Sequence, residues 1–324
     1  MEDYINEVIS AFDNISHVSS STATPAMHNL FTVDTRSPRL DNEQSKIFHH
    51  CVAKLLYVSK RCRLDILPTI SFLCTQVTRS TEEDWIKLKR LIRYLYGTKN
   101  RELNTGANDI TWINIFVDAA HCVHPDMKSH TGGCIFFERG TIMSKSTKQW
   151  SNTLSSTESE FVGNSNFITL AIYASFFLDE QGYRMQTSTV HQDNQSTIKL
   201  LNNGRASCGK KSRHVDIRYF FLKDRIDRGE FKVKYCPTEL MVADFFSKPL
   251  QGSLFKNLSA VIMGEVDLLT FLNNKSSPSK ERVGVPTGTT DIDRADVKNI
   301  PTYANVVKRN IQKNKEWGTT SSSS

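Results

Sequence analysis

Four carboxylates in this chain occupy places from which they can converge. Asp118 follows the apolar run Ile113 to Val117, and Glu160 falls in the first turns of a long helical stretch. Asp193 comes directly after the short run Ser188 to Gln192, and Asp244 lies inside the last helical pattern. A buried strand tolerates an acid only where its charge is solvated, paired or bound to a cation. Two of the strands read as parallel neighbours, so acids at their C-terminal ends can meet acids from helices packed on the sheet. Four carboxylates that close repel strongly unless divalent ions lie among them. Oxygen-only ligation favours Mg²⁺ or Mn²⁺ over zinc. Two such ions roughly 4 Å apart clamp the attacking water and the leaving oxygen of a phosphodiester. A plainer role is open to each acid, since a strand-end Asp commonly caps a turn. Glu158 competes with Glu160, because two positions apart on a helix they point to different faces.

The elements that must position these acids follow from periodicity and punctuation. Strands are expected at Thr111 to Asp118, Gly133 to Arg139 and Thr141 to Trp150, with Glu138-Arg139-Gly140 as a tight hairpin turn. A long helix follows from about Ser156 to Glu180, its start marked by Ser155 with Glu158 and Thr157 with Glu160 at capping-box spacing. Then come a strand at Ser188 to Gln192 and helices at Gln195 to Leu201 and Val215 to about Asp227. A strand at Phe231 to Tyr235 stops before Pro237, and a helix runs from about Leu240 to Phe246. This order predicts a mixed α/β domain, an antiparallel meander with crossovers that add parallel strands.

Upstream, three amphipathic helices are expected between 46 and 97. The third begins at Thr81-Glu82-Glu83-Asp84, an acidic first turn with its own N-cap, and ends at Gly97. Its basic residues Lys87, Lys89, Arg90 and Arg93 read as a solvated face. Residues 1–45 read as a mostly irregular leader with room for one short helix, and 256–275 as a short helical extension. Residues 276–324 lose apolar periodicity, carry Lys308, Arg309, Lys313 and Lys315, and end in serines, which predicts a disordered basic tail. That basic patch suits contact with nucleic acid or a nuclear-import role.

Composition narrows the classes. The 324 residues, 39% hydrophobic, suffice for one or two globular domains with tails. A net charge of +7 suits a polyanionic partner without requiring one. Seven cysteines lack any C-x-x-C pair, so they read as reduced thiols in an intracellular protein of cytoplasmic particle or nucleus, with no zinc site. The longest apolar run, Phe167 to Leu178, falls short of the roughly 20 residues that span a bilayer, so no membrane is expected.

Several stretches together carry a resemblance. Phe116-Val117-Asp118-Ala119, Ser155 to Phe161, Gln192 to Ser196, Arg213 to Arg218, and Pro237-Thr238-Glu239 through Ala243-Asp244 to Ser247-Lys248-Pro249-Leu250 resemble the ribonuclease H domain of copia-type LTR-retrotransposon Pol polyproteins. Leu56 to Arg61 through Asp65-Ile66, and Trp85 to Thr98, resemble the C-terminal end of the same polyprotein's reverse transcriptase. The match covers about two-thirds of the chain. It implies a ribonuclease H-like fold, a mixed five-stranded sheet flanked by helices, at 106–255. Residues 46–105 would be a helical remnant of the reverse transcriptase thumb or connection region.

The resemblance also implies cleavage of the RNA strand of RNA–DNA hybrids with two Mg²⁺ or Mn²⁺ ions. It assigns the catalytic, metal-holding acids to Asp118, Glu160, Asp193 and Asp244. Glu160 is preferred to Glu158 because the family's glutamate directly precedes an aromatic or aliphatic residue, here Phe161. Asp118 and Asp193 would be shared ligands, with Glu160 on the ion nearer the leaving group and Asp244 on the ion that activates water. Lys210, Lys211 and Arg213 suit phosphate contacts, with His214 beside them, and hybrid recognition would rest on groove shape and 2′-hydroxyls. No Asp-Asp pair occurs, so the paired aspartates of a polymerase are missing along with the reverse transcriptase core that is the family's upstream partner. The chain is therefore expected to be the tail of a polyprotein without polymerase activity. The alternative is a catalytically silent, nucleic-acid-binding relic.

Overall fold

The computed structural model describes residues 1–203 and 221–276. Its centre is a five-stranded mixed sheet: β1 (Asn114–Ala120), β2 (His130–Phe136), β3 (Thr141–Lys148), β4 (Ser188–Gln192) and β5 (Phe231–Tyr235). The strand order is β3-β2-β1-β4-β5, with β1, β2 and β3 antiparallel and β4 and β5 parallel to β1. This is the ribonuclease H-like arrangement that the resemblance implied. The meander is local, joined by a turn in which Gly140 takes φ +66°. The parallel strands need crossovers, and α5 (Ser156–Glu180) supplies the first.

Both faces of the sheet are covered, and period-2 alternation along β1 shows how. Ile115 and Val117 join a core with Phe161, Phe167 and Ile168 of α5 and Leu201 of α6 (Gln195–Asn203). Phe116 points the other way, into a core shared with the N-terminal helices and with the helices Gly252–Ile262 and Leu268–Ser276. By length and composition α5 could cross a membrane, a feature that the shorter run Phe167 to Leu178 concealed. Most of its apolar stretch is buried inside the protein, with Tyr173, Phe176 and Phe177 exposed.

The N-terminal helices are α1 (Glu2–Asp13), α2 (Asn42–Ser59), α3 (Leu67–Cys74) and α4 (Glu82–Gly97). Thr81 and Asp84 form a reciprocal capping box at the start of α4, each side chain accepting from the other's backbone N–H. The leader contributes α1, whose Ile5, Val8, Ile9 and Phe12 are buried, with Phe12 stacked on Trp85 at 4.7 Å. The basic face of α4 is not the solvated surface that its charge suggested. Arg90 donates to Thr24, Arg93 to Ser20 and Lys87 to the Thr32 carbonyl, so these side chains hold the segment after α1 against the helix.

A buried ionic network ties this unit together. Asp65 accepts two hydrogen bonds from Arg63, at 2.9 and 2.8 Å, one from the Tyr94 hydroxyl at 2.6 Å and one from Arg101 at 3.3 Å. Arg101 continues to Ser259 of the helix Gly252–Ile262 and to Glu265 just after it, linking α4 to that helix. The stretches around Asp65 and Tyr94, which resembled the end of a reverse transcriptase, thus meet at one structural node.

Candidate active site

β1 and β4 place two of the acids by register alone. Asn114 pairs with Thr189 and Phe116 with His191, so extending the ladder by two brings Asp118 opposite Asp193. β1 continues past Asp118 to Ala120, so this acid sits within the strand instead of at its end. Asp118 is only 2% exposed. Asp193 is half-buried just beyond β4 and accepts from the Thr238 hydroxyl at 3.4 Å.

Glu160 comes from α5, whose start is fixed twice. Ser155 accepts from the Glu158 backbone N–H, and buried Gln149 donates to the Ser159 carbonyl and to Thr131 of β2. The first turns of the helix therefore lie across the end of β1, and Glu160 turns inward, 5% exposed. Glu158 faces back along the chain, accepting from the Leu154 N–H at 2.8 Å. One carboxylate oxygen each from Asp118, Glu160 and Asp193 lie within 4.8 Å of one another. That span approaches the roughly 4 Å between opposite ligands of one octahedral Mg²⁺. An all-oxygen, acidic donor set of this size fits a hard divalent cation.

The electrostatics agree. Burial, reinforced by the neighbouring Asp118 charge, holds the Glu160 carboxyl well above the usual range. The same two causes raise Asp193. Gln192 donates to Glu160 at 3.4 Å, and a hydrogen bond from the Ala119 backbone works against the rise.

Asp244 stands beside this trio without joining it. The expected helix from Leu240 to Phe246 is broken: Thr238–Leu240 is a 3₁₀ turn, and Met241 has ψ 89°, which no helix accommodates. Asp244 instead opens a four-residue helix, Asp244–Ser247. Its carboxyl is pushed up to about 7, by burial first and then by Asp118. Lys248 donates to Asp244 at 2.8 Å and also lies 3.3 Å from Asp118. The Ser247 hydroxyl donates to Asp118 as well. Burial works against the Lys248 ammonium, but Asp118 and Asp244 more than offset it and raise its pKa.

Ser247, Lys248, Gln192 and Thr238 all lie within the resembling stretches, but none is an acid, so residue type alone does not single them out. The signal available was the i,i+4 spacing of Asp244 and Lys248. Lys210, Lys211, Arg213 and His214 lie outside the described residues, as do the first residues of the helix expected from Val215 to about Asp227 and the basic patch Lys308, Arg309, Lys313 and Lys315.

No family model matches the chain. Its homologues are Pol polyproteins of copia-type retrotransposons. It is 26% identical over 260 residues to the retrovirus-related Pol polyprotein from transposon TNT 1-94 of Nicotiana tabacum, covering 79% of this chain and 19% of that one. With the retrovirus-related Pol polyprotein from transposon RE1 of Arabidopsis thaliana it shares 27% over 202 residues, 62% of this chain and 14% of the relative. The chain thus spans under a fifth of the curated relatives' length. Among solved structures, LC11-RNase H1, isolated from compost by a metagenomic approach, aligns with a TM-score of 0.32 at 15% identity, over 42% of this chain and 91% of that one.

Proposed function

We propose that this chain, a homologue of copia-type retrotransposon Pol polyproteins with a ribonuclease H-like sheet, hydrolyses the RNA strand of RNA–DNA hybrids. The observation that carries the reading is the meeting of Asp118 of β1, Glu160 of the first turns of α5 and Asp193 just after β4 within 4.8 Å, with Asp244 beside them. Three acids supplied by three separate elements is not what turn-capping produces. A buried cluster of this kind costs stability unless a cation is its purpose.

Asp118 and Asp193 would be shared by two Mg²⁺ or Mn²⁺ ions, with Glu160 completing the set for the first and Asp244 that for the second. Bound there, the ions would supply charge to the attacking water and to the departing oxygen of the phosphodiester. The protein's own residues fix the geometry. Gln192 holds one Glu160 oxygen, Ser247 orients Asp118, and Thr238 steadies Asp193. No base-reading group is needed, because hybrid recognition rests on backbone and groove shape.

The test is cleavage of a labelled RNA–DNA hybrid in Mg²⁺ or Mn²⁺ by the full chain and by Asp118→Asn. Cleavage by the wild type, lost in a variant that still binds the hybrid, supports the reading. Binding by both without cleavage by either makes the protein a silent nucleic-acid-binding relic.

A further inference from the structure

Asp118 belongs to two groups at once. On one account it clusters with Glu160 and Asp193; on the other it shares the Lys248 ammonium with Asp244. Lys248 reaches this place because the short helix Asp244–Ser247 carries it one turn beyond Asp244, and Pro249 then turns the chain away. The Lys248 side chain is 39% exposed, while the Asp118 and Asp244 side chains are 3% and 8% exposed. Its cation therefore caps the acids from the solvent side. An ammonium on a flexible four-carbon stem can leave such a place without disturbing the backbone.

Charge balance gives this position a consequence. Four ionised carboxylates with one ammonium and one divalent ion stand one charge short of neutral. A second divalent ion added beside a retained ammonium overshoots neutrality. The ammonium also lies where a cation shared by Asp118 and Asp244 has to sit.

We propose that Lys248 is the resident cation of the Asp118–Asp244 half of the site, so that a second divalent ion enters there only by displacing the ammonium. The first ion goes to Asp118, Glu160 and Asp193, of which Lys248 forms an ion pair with Asp118 alone among the described residues. Lys248 is thereby a positioning residue that orders ion loading. The inference rests on the reading of the acidic cluster as a metal centre.

The experiment is a Mn²⁺ titration of the full chain without nucleic acid, followed by calorimetry and by electron paramagnetic resonance of free Mn²⁺. Wild type is compared with Lys248→Gln and with Lys232→Gln, which removes the same charge from an exposed position on β5. The expected result is one tighter and one weaker ion in wild type and in Lys232→Gln. In Lys248→Gln the weaker ion tightens, on the order of tenfold or more, because a like charge beside it is gone. A second readout uses wild type alone: reductive methylation of Lys248, read by mass spectrometry, rises at the Mn²⁺ concentration where the second ion binds. An unchanged second affinity in a folded Lys248→Gln protein, or methylation of Lys248 indifferent to Mn²⁺, overturns the proposal and leaves the metal centre standing. Absence of Mn²⁺ binding in all three proteins overturns both.

Discussion

Asp118 and Gly132 face each other across the β1–β2 ladder, and the short helix that carries Asp244 rests on the glycine. A Cβ on Gly132 would come within 2.5 Å of the Ser247 backbone nitrogen and 2.8 Å of the Ala243 carbonyl oxygen. Gly133, next along β2, is pressed in the same way by the Phe167 ring on the opposite face. Consecutive residues of a strand serve opposite faces, so each layer approaches the sheet through its own glycine. The atoms met at Gly132 are backbone, which cannot swing aside. Gly132→Ala should therefore destabilise the protein by about 1–3 kcal/mol and draw Asp244 and Lys248 away from Asp118. Thermal denaturation measures the first effect, and hybrid cleavage at a temperature where the variant is folded measures the second.

The two glutamates of α5 should part company. Glu158→Gln keeps an oxygen that can accept from the Leu154 N–H, and Glu158 is not one of the three acids that meet within 4.8 Å, so cleavage should stay within about threefold of wild type. Glu160→Gln removes a charge from the cluster itself and should lower the rate on the order of a hundredfold or more. Single-turnover cleavage of a hybrid separates them; equal losses would put Glu158 in the site.

The pH dependence of stability carries the signature of Asp244. Its folded-state carboxyl is raised to about 7, so the stability it contributes is fully present below its unfolded value near 4 and is lost as pH rises through 7. The buried histidines pull the other way. His124 and His191 are lowered to about 4 and His130 to about 3, chiefly by burial, so their contribution is lost as pH falls from the usual 6.5. The informative quantity is therefore a difference. In the ion-free protein, Asp244→Asn should gain stability relative to wild type between pH 5 and pH 8. Urea denaturation at the two values checks it, and a gap that narrows at the higher pH would count against the assignment.

Asp65 makes a structural prediction. Arg63, Tyr94 and Arg101 all donate to a carboxylate that is completely buried. Asp65→Asn leaves a buried guanidinium without its counter-charge, at a cost of about 3–5 kcal/mol. Chemical denaturation should show that loss, while cleavage by the folded fraction remains close to wild type, because the network lies outside the acidic cluster.

Much of this was legible where the signals were local. The bounds of α5, β4 and β5 fell where Ser155, Gly182 and Pro237 punctuate the sequence. β2 was harder: it begins at His130, three residues before its glycines suggested, because His130 is buried against His124 and Ser146 by long-range packing. The leader was hardest. Ser20, Thr24 and Thr32 look like a polar, irregular segment until the arginines and lysine of α4 supply their partners. For the candidate site, the acids stood out by type and motif. The supporting Ser247, Lys248 and Gln192 needed the fold, since only the sheet brings them near Asp118 and Glu160.

The core that joins α1 and α2 to Phe116, Val261 and Phe271 has a consequence for how the molecule is made. α1 packs on α2 and α4, but the core they belong to also takes in the helix Gly252–Ile262, more than 200 residues further along the chain. Until that helix is made, part of the shared core stays open, a state in which chains aggregate or recruit chaperones. Such separation between partners also lengthens the search for the native contacts. A ribosome-stalling series should therefore find protease resistance arriving late and in one step, once the C-terminal helices have cleared the exit tunnel.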